Sequence, residues 1–84
     1  MKTNKLSPTF AAYSVVKVRQ LICSESEYDP WCINSEHPNV GDVGVVLEVL
    51  VSNNCLNKYV VESCAEDGTS IWLSNFFEEE IELV

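Results

Sequence analysis

The four cysteines and the single histidine are the residues whose types suit metal or redox chemistry. The cysteines form two pairs, Cys23 with Cys32 and Cys55 with Cys64, and eight residues separate the members of each pair. A structural zinc site usually places two ligands about two to four residues apart, so that one tight turn presents both sulfurs to the same ion. The wider spacing favours small buried hydrophobic residues or surface thiols. A zinc site, to which His37 would add a ligand, and a disulfide stay open as alternatives.

Acid–base catalysis has few candidate residues in this chain. His37 lies between Glu36 and Pro38, and as a general base it would need a serine or cysteine partner that no motif marks. The acidic run Glu78–Glu80 lacks the alternating aspartates and glycines of a calcium loop, so we interpret it as a solvated face that begins a helical turn. We therefore predict a protein that is not an enzyme and that holds neither a metal nor a cofactor.

Charge is distributed unevenly along the chain. Four of the five basic residues lie in the first nineteen positions, and all thirteen acids follow them. From Leu21 onward thirteen acids stand against Lys58 alone, which gives this part a formal charge of −12. Such a field repels nucleic acid and anionic lipid and attracts basic macromolecules. We expect a basic protein partner, and no direct binding to nucleic acid or to a membrane.

Length and composition indicate one small folded domain. A chain of 84 residues supports a single core, and with 46% hydrophobic residues it can fold despite a net charge of −8. No stretch reaches the roughly 20 apolar residues of a membrane span, and the basic N-terminus lacks the apolar run of a signal peptide. We expect a cytoplasmic protein in which residues 1–12 form a loose arm and residues 13–84 form the domain.

Alternating side chains predict five short strands. Val16 and Val18 alternate with Lys17 and Arg19, which is the period of a half-buried strand, and this first strand is predicted over 13–21. The second strand should be central in the sheet, because both of its faces are largely apolar. The later strands are predicted over 45–51, 58–64, 69–73 and 81–84.

The segments between these strands differ in character. Residues 52–57 supply one hairpin turn, and Asp67-Gly68 supplies the clearest one, since this pair readily adopts the positive φ that joins twisted strands. Ser74 or Asn75 is predicted to cap one short helical turn before the last strand. Residues 23–38 contain two prolines and four acids without a regular period, so we expect a long loop there. Loops of this length in small domains are often functional.

Three segments carry a resemblance to a known family. Tyr-Ser-Val-Val-Lys-Val at 13–18 opens the domain, Gly-Asp-Val-Gly-Val-Val at 41–46 lies at its centre, and Tyr-Val-Val-Glu at 59–62 leads towards the terminal Glu-Leu-Val. In this order they resemble small bacterial SH3-like proteins, and in particular the SH3-like immunity proteins of polymorphic toxin systems. The resemblance implies an all-β fold, a small five-stranded SH3-like antiparallel barrel with a long loop after strand 1 and one short helical turn before the last strand.

The leading hypothesis is an inhibitor-type binding protein that resembles those immunity proteins and blocks a basic partner by occlusion. Loop charge would speed the encounter, and aromatic side chains would supply affinity. Trp72 alternates with Ile71 and Leu73, so it is either an anchor for the partner or part of the core. The rival hypothesis is a non-inhibitory accessory or structural module of a larger complex. The predicted partner-binding residues are Glu25, Glu27, Tyr28, Asp29, Trp31, Glu36 and Trp72.

Overall fold

The described part of the chain consists of strands, two short 3-10 turns and the loops that connect them. The computed structural model describes residues 9–51 and 57–84. In these ranges no helix is long and apolar enough to cross a membrane. The strands are β1 (Val15–Val18), β2 (Val43–Leu50), β3 (Lys58–Cys64), β4 (Ser70–Phe77) and β5 (Ile81–Leu83), and the 3-10 turns are η1 (Glu25–Tyr28) and η2 (Glu78–Glu80).

All five strands belong to one antiparallel sheet with the order β4-β3-β2-β1-β5. The predicted all-β class, the number of strands and the central position of the second strand are confirmed. Strands β4 and β5 stand at the two ends of this order and do not pair with each other, so the sheet is not closed by hydrogen bonds. One short helical turn precedes the last strand, as predicted.

The first strand has the alternation that its sequence predicts. Val16 and Val18 are buried, whereas Lys17 lies on the opposite, exposed face. On that face the Lys17 ammonium is 3.6 Å from the carboxylate of Glu82, its partner on β5. The alternation correctly predicts which of these side chains are buried, because one face of β1 packs on the core while the other faces water.

The Asp-Gly turn is also confirmed. Gly68 has a φ of 90°, and its N–H donates to the carbonyl of Ala65 at 2.9 Å. The Ala65 N–H donates to the carbonyl of Thr69 at 2.8 Å, which closes the hairpin between β3 and β4. Of the other predicted hairpin turn, over 52–57, residues 52–56 lie outside the described residues.

Strand β4 extends further than the sequence predicts. Ser74 and Asn75 do not cap a helix, because they pair with Val61 and Val60 of β3, and η2 begins only at Glu78. The Ser74 hydroxyl is buried and donates to the carbonyl of Tyr28, so its polar group is satisfied within the strand. The prediction of a cap at Ser74 or Asn75 was wrong because a complete ladder with β3 outweighs one capping bond.

The largest side chains of the core are aromatic. Trp72 and Phe76 of β4 pack edge to face with centroids 5.6 Å apart, and Tyr28 of η1 lies 5.5 Å from Phe76. Phe10 packs edge to face on Tyr59 at 5.2 Å and is itself buried, so this residue of the predicted arm belongs with the packed body. Residues 1–8 of that arm lie outside the described ranges.

Candidate partner-binding site

The long segment between β1 and β2 is fastened to η2 through one buried carboxylate. Glu80 is 0% exposed, and its Oε1 accepts from the N–H of Phe77 at 2.8 Å. Its Oε2 accepts from the N–H of Ile22 at 3.1 Å and from the hydroxyl of Tyr28. A buried carboxylate is tolerated when it accepts several such bonds. Glu80 is therefore an internal anchor, and the interpretation of Glu78–Glu80 as wholly solvated is wrong at this residue.

Tyr28 is the partner of that anchor and needs a correction. Its side chain is only 1% exposed, its hydroxyl donates to Glu80, and the same oxygen accepts from the N–H of Cys23 at 2.8 Å. Burial, together with the hydrogen bond to Glu80, raises the pKa of the Tyr28 phenol above its usual range. Tyr28 holds η1 on the core, so the prediction that its side chain contacts a partner was wrong.

Trp72 is likewise inside the protein. It is 1% exposed, and its indole N–H donates to the Oδ2 of Asp42 at 3.0 Å. The same oxygen accepts from the N–H of Asn39 at 2.9 Å, so Asp42 joins the turn before β2 to the core. Of the two alternatives for Trp72, the core position is confirmed and the partner anchor is wrong, because the alternation of β4 directs this residue inward.

The loop also covers the outer edge of β4. The Asn34 amide donates to the carbonyl of Tyr28 at 2.8 Å, and its Oδ1 accepts from the N–H of Leu73 at 2.8 Å. The N–H of Ser35 donates to the carbonyl of Ile71 at 3.0 Å. These bonds satisfy backbone groups that an edge strand would otherwise expose. Asn34 was not predicted from the sequence, because Leu73, which donates to it, is remote in the chain and no local pattern marks the pair.

A second carboxylate shapes the exposed tip of the loop. The Oδ1 of Asp29 accepts from the N–H groups of Ile33 at 2.9 Å and Asn34 at 3.2 Å, which closes a turn over residues 29–34. Cys32 within this turn has a φ of 57°. The turn leaves Trp31 45% exposed and Ile33 63% exposed. The side chain of Trp31 is therefore accessible to a partner. The Oδ1 of Asp29 is used by the two bonds that hold the turn.

Acidic side chains surround one open hollow beside this turn. Its volume is about 330 Å³, and its charged lining residues are Glu25, Asp29 and Glu36. His37 also lines the hollow, and its Nε2 is 3.8 Å from the Oε2 of Glu25. No lysine or arginine is among the lining residues, and none occurs in the sequence between Arg19 and Lys58. The remaining lining residues are Ser26, Asn34 and Ser35.

None of the described cysteines lines the hollow. Cys23, Cys32 and Cys64 are free thiols, and Cys55 lies outside the described residues. Within residues 9–51 and 57–84 no group of three histidine, cysteine or acidic side chains is placed to hold a metal ion. The hollow instead offers carboxylates in an open site that a protein side chain can enter.

The structure thus separates the predicted site residues into two groups. Glu25, Asp29 and Glu36 converge on the hollow, Trp31 lies on the adjoining turn, and Glu27 is exposed on η1. Tyr28 and Trp72 are core residues, as described above. Comparison of the chain with protein-family models, with curated proteins and with solved structures gave no match.

Proposed function

We propose that this chain is an acidic binding protein that seats a cationic side chain of a basic protein partner in the hollow and blocks that partner by occlusion. One observation carries the proposal: Glu25, Asp29 and Glu36 line the same hollow, and no lysine or arginine of the chain lines it with them. Lysine and arginine side chains form charge-assisted hydrogen bonds with carboxylates, which are stronger than bonds between neutral groups. An acidic partner surface also raises the rate of encounter with a basic one.

The exposed turn supplies the apolar part of the contact. Trp31 and Ile33 project from residues 29–34, next to the hollow that Asp29 and Asn34 also line. Tryptophan is enriched among the residues that dominate binding energies, and arginine stacks favourably on its ring. Because Asp29 fixes this turn, little conformational entropy is lost when a partner docks on it.

The resemblance to SH3-like immunity proteins belongs to the same proposal. Strand β1 pairs with both β2 and β5, and a 3-10 turn precedes β5, which supports an SH3-like barrel. On this proposal the protein acts in the cytoplasm and neutralises a toxin. A basic active site or a nucleic-acid cleft is the class of surface that it would cover, since clustered carboxylates can imitate a phosphate backbone.

A non-inhibitory accessory module is a second candidate, and one observation favours it. Val15 and Val43 are about half exposed and lie on the same outer face of neighbouring strands. Exposed apolar side chains on a sheet face suit permanent docking into a larger assembly. If the hollow does not bind cations, this face becomes the better starting point.

The test compares two double charge reversals with the same change of net charge. Glu25→Lys with Glu36→Lys alters the hollow, whereas Glu48→Lys with Glu66→Lys alters two exposed acids that do not line it. Binding of a fluorescein-labelled octa-arginine peptide is measured by anisotropy. We expect the hollow variant to lose about tenfold or more in affinity, since even one close charge pair contributes about 1.5 kcal/mol or more. Equal losses in the two variants would refute a localised site.

A further inference from the structure

His37 places a titratable group inside the acidic hollow. Its Nε2 is screened from solvent, has no hydrogen-bond partner within the described residues, and lies 3.8 Å from the Oε2 of Glu25. Its ring meets the ring of Tyr28 edge to face at 5.7 Å. Because Tyr28 is held by Glu80, the imidazole rests on a fixed surface with one nitrogen directed at an exposed carboxylate.

We propose that protonation of His37 closes the hollow to cations, so that the partner binds at neutral pH and is released in mildly acidic conditions. The inference rests on the proposed function, because it assigns a regulation to the same site. Imidazole is the one side-chain type that ordinarily changes charge between about pH 5 and 8, whereas carboxyl groups ordinarily titrate near pH 4.

The groups that face His37 determine the direction of the effect. Glu25 and Tyr28 of η1 approach it from one side, and Asp29 and Glu36 line the rest of the hollow. Three carboxylates give the hollow a formal charge of −3 when the imidazole is neutral. A protonated imidazole reduces this charge by one, and both of its nitrogens then carry a proton, so that Nε2 can donate to Glu25. Glu25 is then engaged within the protein, and an incoming lysine or arginine loses its ion-pair partner.

The experiment measures the affinity of the octa-arginine peptide at about pH 7.5 and about pH 5.5. If the cation binds only while the imidazole is neutral, its affinity falls as the ring becomes protonated. The fall is up to about tenfold at one pH unit below the pH at which half of the rings are protonated. We expect that loss in the wild-type chain and little change in His37→Gln. A wild-type affinity that is the same at both pH values, or an equal loss in the His37→Gln variant, overturns the proposal.

A second measurement does not depend on binding or on removing the ring. His37 is the only histidine, so its imidazole resonances can be followed by NMR without ambiguity. Glu25→Gln should move the titration midpoint to lower pH, because it removes the nearby negative charge, whereas Glu66→Gln on the distant turn should not. An unmoved midpoint in Glu25→Gln overturns the switch even if the peptide binds. If Glu25→Gln does move the midpoint but the octa-arginine peptide does not bind at all, the proposed function is refuted, and the release step fails with it.

Discussion

The bond between Tyr28 and Glu80 joins the loop to the 3-10 turn before β5. Tyr28→Phe keeps the ring that packs on Phe76 and removes only the hydroxyl. A hydrogen bond to an ionised group contributes about 1.5 to 3 kcal/mol, and the Cys23 N–H, which loses its acceptor, adds about 1 kcal/mol because it is only partly buried. We expect the free energy of unfolding to fall by about 2.5 to 4 kcal/mol.

Urea denaturation followed by tryptophan fluorescence measures this loss, since Trp72 is buried in the native state. Tyr13→Phe is the matched control, because it removes the same hydroxyl from an exposed side chain and should change stability by less than about 0.5 kcal/mol. If the two variants are equally stable, the buried network does not hold the loop, and the reasoning built on it fails.

Wild type and Tyr28→Phe also test how the contribution of the Tyr28 phenol to stability depends on pH. The folded-state pKa of Tyr28 is raised above the value of about 10 for an unfolded tyrosine, so the folded protein favours the protonated phenol. That contribution is complete below about pH 10 and is lost as the pH rises further. The stability difference between wild type and Tyr28→Phe should therefore shrink above about pH 10. A difference that stays constant or grows contradicts the assigned cause.

Three further variants probe other parts of the structure. Gly44→Ala would place a Cβ 2.7 Å from the carbonyl oxygen of Glu62, so we expect a loss of about 2 kcal/mol and a lower melting temperature, and an unchanged melt would contradict this packing. Asn34→Ala should speed hydrogen exchange at the Leu73 amide, which loses its acceptor, and unchanged protection would show that the loop does not cover β4. Trp31→Ala should leave stability within about 0.5 kcal/mol of wild type but weaken octa-arginine binding, and normal binding would exclude Trp31 from the contact.

Local patterns predicted much of the sheet but not how the loop packs. The alternation of Val16 and Val18 with charged neighbours, and the Asp67-Gly68 turn, follow from interactions within a few residues, and both predictions were confirmed. Ser74 looked like a helix cap because the same hydroxyl suits either a cap or a buried strand position, and only its pairing with Val61 decides between them.

The candidate site, like the sheet, could be predicted from the sequence only where local features decide the structure. The loop acids and Trp31 were identified from charge and from the absence of a period, and three of those acids do line one hollow. The burial of Tyr28 was not predictable, because it depends on Glu80, which lies 52 residues away in the sequence. A tyrosine among acids suggests a surface contact until a distant buried carboxylate supplies the partner for its hydroxyl.

The central claim, that cations bind at the hollow, can be tested most directly by locating the ligand on the protein. Addition of the octa-arginine peptide to the ¹⁵N-labelled chain should shift the backbone amides of residues 25–37 most strongly, and those of the exposed turn at Glu66 and Asp67 only weakly. These shifts should weaken as salt is raised, since the contact is electrostatic. Shifts spread evenly over all exposed acids, or concentrated at the turn between β3 and β4, would contradict the account.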